Sequence, residues 1–315
     1  MSKTNIRIGT RGSKLALYQA NLVKETLEKT LQNITVELKI IKTKGDKILD
    51  VALSKIGDKG LFTKELEIAL FNNEVDVAVH SLKDLPTTFP QGAKLGGVMK
   101  RAEVRDALVS KDGRTLAQLT PQDIIATSSL RRRAQLLAFN PDFQIIDIRG
   151  NVDSRIRKMH DGHCDAMVMA GAGLQRLNLG EHITELLDPE VFIPAVSQGA
   201  IGIEIREKDD ETQAVIAHIC DPITEQVTKG ERTFLRSMEG GCQIPIGCYS
   251  KVENDRIEMT GIVATIDGST VLKSTHSGLL NNSEAIAMKI HDDLTEKGAK
   301  EILEEIRRNI DPINL

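Results

Sequence analysis

The sequence predicts an α/β protein: two similar α/β domains, then a separate α+β domain. Three observations lead there. Residues 6–79 alternate strand-like and helix-like segments, residues 123–177 repeat the same order of parts, and the pattern changes from about Asp221 onward. At 315 residues the chain has room for two or three domains, at roughly 100 to 200 residues each. Alternating strands and helices imply parallel sheets, whose ligands collect beyond the carboxyl ends of the strands. The turns that follow the strands in both copies are therefore expected to face one shared cleft.

The first copy starts with a strand at Ile6–Thr10 and a helix over Lys14–Val23, with Ser13 as its cap. A strand at Val36–Ile41 ends in Lys44-Gly45-Asp46, a helix covers Leu61–Phe71, and Val75–Val79 closes a βαβαβ run. In the second copy a strand at Asp123–Thr127 leads through Ser128-Ser129 into a helix reaching Leu137. A strand at Gln144–Ile148 ends in Arg149-Gly150-Asn151, a helix spans Ser154–Met159, and Asp165–Met169 matches Val75–Val79. The apolar segment Ala200–Ile205 is expected to cross back to the first sheet, with hinges near Lys100–Val104 and Pro194–Gly199. The last domain reads as a helix over Glu225–Met238, a cysteine loop, a meander turning at Asn254-Asp255 and Asp267-Gly268, and one long helix over Ser283–Arg308. The expected domains are 1–99 with 200–218, 105–193 and 222–315.

Composition narrows the function. Hydrophobic residues at 40% and charged residues at 27% are those of a soluble globular protein, and no apolar run reaches the roughly 18 residues of a membrane span. With no Trp and two Tyr, stacking platforms for single-stranded nucleic acid are scarce. A net charge of −4 makes any basic cluster a local device. Four cysteines and no apolar leader at Met1–Thr4 argue for the reducing cytoplasm. His160-Asp161-Gly162-His163-Cys164 has ligand residue types but no familiar ligand spacing, so no metal is expected.

Basic residues crowd the turns after strands: Arg11 beside Ser13, Lys55 and Lys59, Lys83, Arg131 with Arg132, Arg149, Arg155, and Arg176 after Gly171-Ala172-Gly173. A guanidinium grips carboxylate or phosphate bidentately and helix N-termini add free N–H donors, so the cleft is expected to take a polyanionic small molecule. Arg133 and Lys14 read as solvated surface charge. Asp84 stands among these cations, next to Lys83. It suits two roles that spacing does not separate: a turn before Leu85-Pro86, or a carboxylate that steadies a cation forming on the substrate. At roughly 4 Å and an effective dielectric near 20 the second role is worth about 4 kcal/mol before desolvation. His80, at a strand end, reads as a structural histidine.

In Glu239-Gly240-Gly241-Cys242-Gln243-Ile244-Pro245-Ile246-Gly247, glycines before and a proline after one thiol present the sulfur instead of packing it, as an attachment point requires.

These segments resemble the porphobilinogen deaminase (hydroxymethylbilane synthase) family over nearly the full chain. The likeness rests on Gly9–Ser13, Gly57–Glu67, Val79–Thr87, Thr127–Arg132, Arg149–Val152 and Glu231–Gly247. The resemblance implies two periplasmic-binding-protein-like (type II) lobes and a dipyrromethane cofactor joined to Cys242 by a thioether. It implies that porphobilinogen units are added to this primer with loss of ammonia and that water releases the product. By the same resemblance, Ser81, Lys83, Asp84, Thr127, Ser129, Arg131, Arg132, Gly150 and Asn151 bind the cofactor. Arg11, Ser13, Phe62, Arg149, Arg155, Arg176 and Gln198 bind substrate, and the loop from Lys47 to Gly60 with Lys55 and Lys59 is a mobile cover. Asp84 is the catalytic group, and the enzyme is a cytoplasmic monomer without nucleic-acid or membrane partners. Ala126, Ser197 and Met238 depart mildly from the family pattern. The rival readings are a non-catalytic two-lobed binding protein for a small polyanion, which needs no presented thiol, and a cysteine-dependent acyl-transfer enzyme, for which no Cys-His pairing is readable.

Overall fold

The computed structural model describes residues 4–47, 62–239 and 244–310. They fall into two compact units, one built from 4–47, 62–102 and 199–226, the other from 103–198, 227–239 and 244–310. The chain thus passes between units at 102/103 and 198/199, inside the two segments expected as hinges, and again at 226/227, within the helix over Pro222–Ser237.

In the first unit, β1 (Asn5–Thr10) leads into α1 (Lys14–Thr30), then β2 (Thr35–Ile40), the single turn α2 (Lys44–Lys47), α3 (Lys64–Phe71), β3 (Val77–Ser81) and β4 (Ala93–Val98). The side chain of Ser13 caps α1 by accepting from the Ala16 amide, and Ala16, Ala20, Val23 and Leu27 recur on the one face that is buried. After the excursion through the second unit, β10 (Ile201–Arg206) returns and α7 (Asp210–Ala217) follows. The five-stranded sheet has the order β2-β1-β3-β10-β4. β1, β2 and β3 are parallel, whereas β10 runs antiparallel to both of its neighbours. Ile6, Ile8, Val77, Val79, Ile201, Ile203 and Ile205 form its buried centre.

The second unit repeats this plan with β5 (Asp106–Ser110), β6 (Ile124–Ala126), α4 (Leu130–Phe139), β7 (Gln144–Ile146), α5 (Val152–His160), β8 (Ala166–Ala170), α6 (Gly171–Arg176) and β9 (Glu185–Leu186). Its sheet has the order β7-β6-β8-β5-β9, with β6, β7 and β8 parallel and β5 antiparallel to β8 and β9. The two sheets are therefore copies, and in each the fourth position is filled by a strand just past a passage from the other unit. The sheets are mixed, not parallel as the alternation of elements implied, because these crossing strands enter in the opposite direction. Neither β4 nor β5 is marked by the alternating pattern. In β4 the glycines Gly96 and Gly97 blur the strand signal, yet a Cβ there would lie within 2.6 Å of Ile216 and 2.0 Å of the Cys220 sulfur.

The same unit carries a three-stranded antiparallel meander, β11 (Ile246–Glu253), β12 (Arg256–Ala264) and β13 (Val271–Leu279). It packs under α8 (Pro222–Ser237), α9 (Ser283–Glu296) and α10 (Ala299–Ile310) around Phe234, Met259, Ile290 and Leu303. The single long terminal helix expected from sequence is in fact two. Gly298 adopts φ 95°, in the left-handed region, which ends α9 and lets α10 start in a new direction.

Ser197, beside the second passage, is fully buried at φ 61° with its hydroxyl unpartnered, while its amide donates to Glu231 Oε2 at 2.7 Å. Ser197→Gly removes both the backbone strain and the orphan hydroxyl, which outweigh the added freedom of glycine in the unfolded chain. The variant is expected to be more stable by about 1 kcal/mol, read as a higher urea midpoint.

Candidate functional site

Because β1, β2 and β3 are parallel, the turns after them lie at one edge of the first sheet. Arg11 and Ser13 follow β1, and the guanidinium of Arg11 stacks 4.1 Å above the Phe62 ring. Ser81 ends β3 and accepts a hydrogen bond at 2.8 Å from Nε2 of Gln19, which is buried within α1. Lys83 and Asp84 come next in a single 3₁₀ turn, with Lys83 half-buried and Asp84 exposed. The turn is anchored behind by the Leu82 amide, which donates to the Ala200 carbonyl at 3.0 Å, and by His80, whose Nε2 lies 3.0 Å from Oε2 of the fully buried Glu204. His80 is thus the structural histidine its position suggested. Gln19 escaped the sequence reading because a glutamine in an amphipathic helix carries no signal of burial.

The corresponding edge of the second sheet is more basic. Ser129 caps α4 by accepting from the Arg132 amide, and the Thr127 hydroxyl accepts from the Ser129 amide at 3.3 Å. Arg131 and Arg132 follow, both buried and both paired with Asp106. Arg131 Nη1 donates to Asp106 Oδ2 at 2.7 Å and to the Ile193 carbonyl at 2.6 Å. Arg132 reaches Asp106 Oδ1 through Nε at 3.0 Å and Nη2 at 2.7 Å, and the Val168 carbonyl through Nη1 at 3.1 Å. Gln198, expected as a substrate ligand, has its Nε2 on Asp106 Oδ1 at 2.9 Å and on the Val104 carbonyl at 2.8 Å. Asp106 was missed in the sequence because it stands as a lone acid at the head of the apolar run Ala107-Leu108-Val109, with its partners far away in the chain.

Burial alone would push the Asp106 carboxyl up, but the charges and hydrogen bonds of Arg131 and Arg132 outweigh it and hold the group well below the usual carboxylate range. One carboxylate between two buried guanidinium groups leaves one positive charge in excess. Burial of such a charge is costly unless an anion joins it.

After β7, Gly150 at φ 119° turns the chain into α5, and a side chain there would meet Ser154 Oγ at 2.3 Å. Asn151 is the cap residue of α5, and Arg155 Nε returns to the Gly150 carbonyl at 2.8 Å. Arg149 is the exceptional group: its Nε and Nη2 are buried without a hydrogen-bond partner, and burial pushes its pKa down. Guanidinium donors left unsatisfied beside a helix N-terminus are what a carboxylate would fill. Arg176 closes α6, after β8. Cys242, Lys55 and Lys59 lie outside the described residues. Among the described residues, no group of three or more His, Cys, Asp and Glu is placed to hold a metal ion, and no helix is long and apolar enough to cross a membrane.

Two α/β domains of the same sheet order, with basic edges, and a C-terminal α+β meander domain define a periplasmic-binding-protein-like (type II) architecture extended by a further domain. Residues 6–214 match the family model described as porphobilinogen deaminase, dipyromethane cofactor binding domain, and residues 226–296 match the porphobilinogen deaminase C-terminal domain. A porphobilinogen deaminase of Desulforamulus reducens is 47% identical over 305 residues, covering 97% of this chain and 99% of that one. One from Carboxydothermus hydrogenoformans is 47% identical over 307 residues, covering 98% and 99%. Among solved structures, a lipoprotein of the YaeC family from Enterococcus faecalis aligns with a TM-score of 0.42 at 14% identity, covering 73% of this chain and 97% of that chain. The chain belongs to the porphobilinogen deaminase family.

Asp106→Asn leaves two buried guanidinium groups without their carboxylate. The variant is expected to lose about 3–5 kcal/mol of stability by urea unfolding at neutral pH. A carboxyl held low in the folded state stabilises above its unfolded value, near 4, and that stabilisation is lost as pH falls through the folded value. The gap between wild type and variant should therefore be widest at neutral pH and narrow below about pH 4.

Proposed function

We infer that this chain performs the hydroxymethylbilane synthase reaction of tetrapyrrole biosynthesis. Four porphobilinogen units are joined head to tail on a dipyrromethane primer held by Cys242, each coupling forming a carbon–carbon bond and releasing ammonia, and water then frees the linear product. The observation that carries this reading is the basic edge of the second sheet, with a buried excess positive charge at Arg131, Arg132 and Asp106 and unpartnered Nε and Nη2 on Arg149. Those groups suit a ligand bearing several carboxylates, as linked pyrroles with acetate and propionate side chains are.

The bound dipyrromethane supplies a nucleophilic pyrrole carbon tethered in place, which replaces a bimolecular encounter by a positioned one. Ser81, Lys83, Asp84, Thr127, Ser129, Arg131, Arg132, Gly150 and Asn151 would hold that group, with Cys242 as the covalent link. Arg11, Ser13, Arg149, Arg155, Arg176, Phe62 and Gln198 would bind the incoming substrate and the lengthening chain, and Lys55 and Lys59 would belong to the covering loop. The stacking of Arg11 on Phe62 supports a role for both at the first sheet's edge. Asp84 would offset the positive charge that develops on the substrate as ammonia leaves. Its exposed turn, fixed from behind by Leu82 and His80, supports that role.

The proposed working division is three domains, 1–99 with 200–218, 105–193 and 222–315, with hinges near 100–104 and 194–199. The passages at 102/103 and 198/199 support these hinges. We place the enzyme in the cytoplasm as a monomer, with no nucleic-acid or membrane partner.

Intact mass measurement of protein purified from cells that make porphobilinogen is expected to show a covalent addition that disappears in Cys242→Ser. An unmodified wild-type mass would overturn the reading. Asp84→Ala is expected to fold and carry the same addition, yet turn over at least about a hundredfold more slowly, since an electrostatic group of this kind is worth some 10²–10³ in rate. Near-normal product formation would remove Asp84 from the chemistry.

A further inference from the structure

Gly45 is a glycine that its own backbone does not require. It lies in the single helical turn α2, outside the left-handed region, where alanine is the more stable residue. It is nevertheless buried, and Phe62 takes the place of its missing side chain: a Cβ on Gly45 would come within 2.8 Å of the ring atoms Cδ1, Cε1 and Cζ. Carbon atoms in ordinary contact stand about 3.5–4.0 Å apart, so a single methyl group would drive the ring back by roughly 1 Å.

The backbone is held against making that room. The Lys44 amide donates to Glu65 Oε1 at 3.0 Å, which ties α2 to the first turn of α3, and Thr43, just before Lys44, is fully buried. Phe62 stands two residues ahead of α3, so Gly45 and Phe62 sit on turns fastened to each other. The half-buried ring is the part that yields.

The spacing matters because of what the ring carries. The Arg11 guanidinium lies 4.1 Å from the centre of the Phe62 ring, and a cation–π contact orients the guanidinium plane as well as holding it. The backbone beside Arg11 is fixed independently: the Thr10 carbonyl accepts from the Ile41 amide at 2.8 Å, and the buried Thr10 hydroxyl donates to the Ala16 carbonyl at 3.1 Å. The end of β1 thus sets where Arg11 starts, the ring sets where its guanidinium lies, and Gly45 sets where the ring lies. A displacement of about 1 Å at a group that positions substrate can cost up to about a hundredfold.

We propose that Gly45 is a positioning residue for substrate binding: the absence of a side chain there seats Phe62, and Phe62 aims the Arg11 guanidinium at a substrate carboxylate. The proposal rests on the reading that Arg11 binds substrate.

The test uses holoenzyme, its cofactor confirmed by intact mass, with KM and kcat measured for porphobilinogen and stability read as the urea midpoint. Gly45→Ala is expected to raise KM about tenfold, the scale of one charge-assisted hydrogen bond, while kcat stays within about twofold and the urea midpoint is unchanged or higher. Phe62→Ala removes the ring that the new methyl group would meet. It is expected to raise KM by itself, and adding Gly45→Ala to it should change KM by less than about twofold, because the two act as one unit. A wild-type KM in Gly45→Ala overturns the proposal, as does an equal rise from Gly45→Ala in the Phe62→Ala background or a rise that comes with a lower urea midpoint. Arg11→Ala checks the underlying reading separately and is expected to raise KM at least as far as Gly45→Ala does. A wild-type KM there sinks the Arg11 reading, and the proposal falls with it.

Discussion

The second unit is organised around one buried carboxylate. Asp106 receives hydrogen bonds from Arg131, Arg132 and Gln198, which come from the start of α4 and from the segment before the second passage between units. An ion taken out of water needs this density of partners. Satisfying Asp106 therefore fixes where α4 begins, how β5 enters its sheet, and the path of the chain at 193–198. The same pairing sets two guanidinium groups around one carboxylate, one positive charge in excess among the described residues.

Sheet direction does the rest of the concentrating. Parallel strands place every following turn at one edge, so residues scattered along the sequence, such as Thr127 and Arg149, come to that edge without being adjacent in the chain. Helices α4 and α5 begin there as well and add unsatisfied N–H groups. The first unit uses the same geometry with different residues: Arg11, Ser13 and Ser81 are joined by the acid Asp84, on a turn held by buried residues behind it. In both units the strand inserted after the passage is antiparallel, so the chain crosses over without disturbing the parallel strands that build the edges.

The α+β part has a core of its own. Its meander and helices form a core that reaches the last turn of α8 through Phe234 and Met238. Arg307, far along the chain, donates to the carbonyls of Met238 and Glu239 just past that helix.

Much of this was readable from local chemistry. The period-2 and period-3.6 patterns located β1, α1, β2, β3, β6, α4, β7, α5, β8 and the meander, and Ser13 and Ser129 were recognisable as caps because capping depends only on neighbouring backbone. The repeated order of parts revealed two like domains, and the family motifs named the basic turns. Tertiary structure decided what local pattern does not encode: the antiparallel insertion of β5 and β10, the break at Gly298, the burial of Gln19, and the pairing of Asp106 with arginines 25 and 26 residues away. Strand direction and ion pairing are long-range outcomes. They depend on which surfaces meet once the chain is compact, and a lone aspartate before an apolar run looks the same in sequence whether it ends in water or between two guanidinium groups.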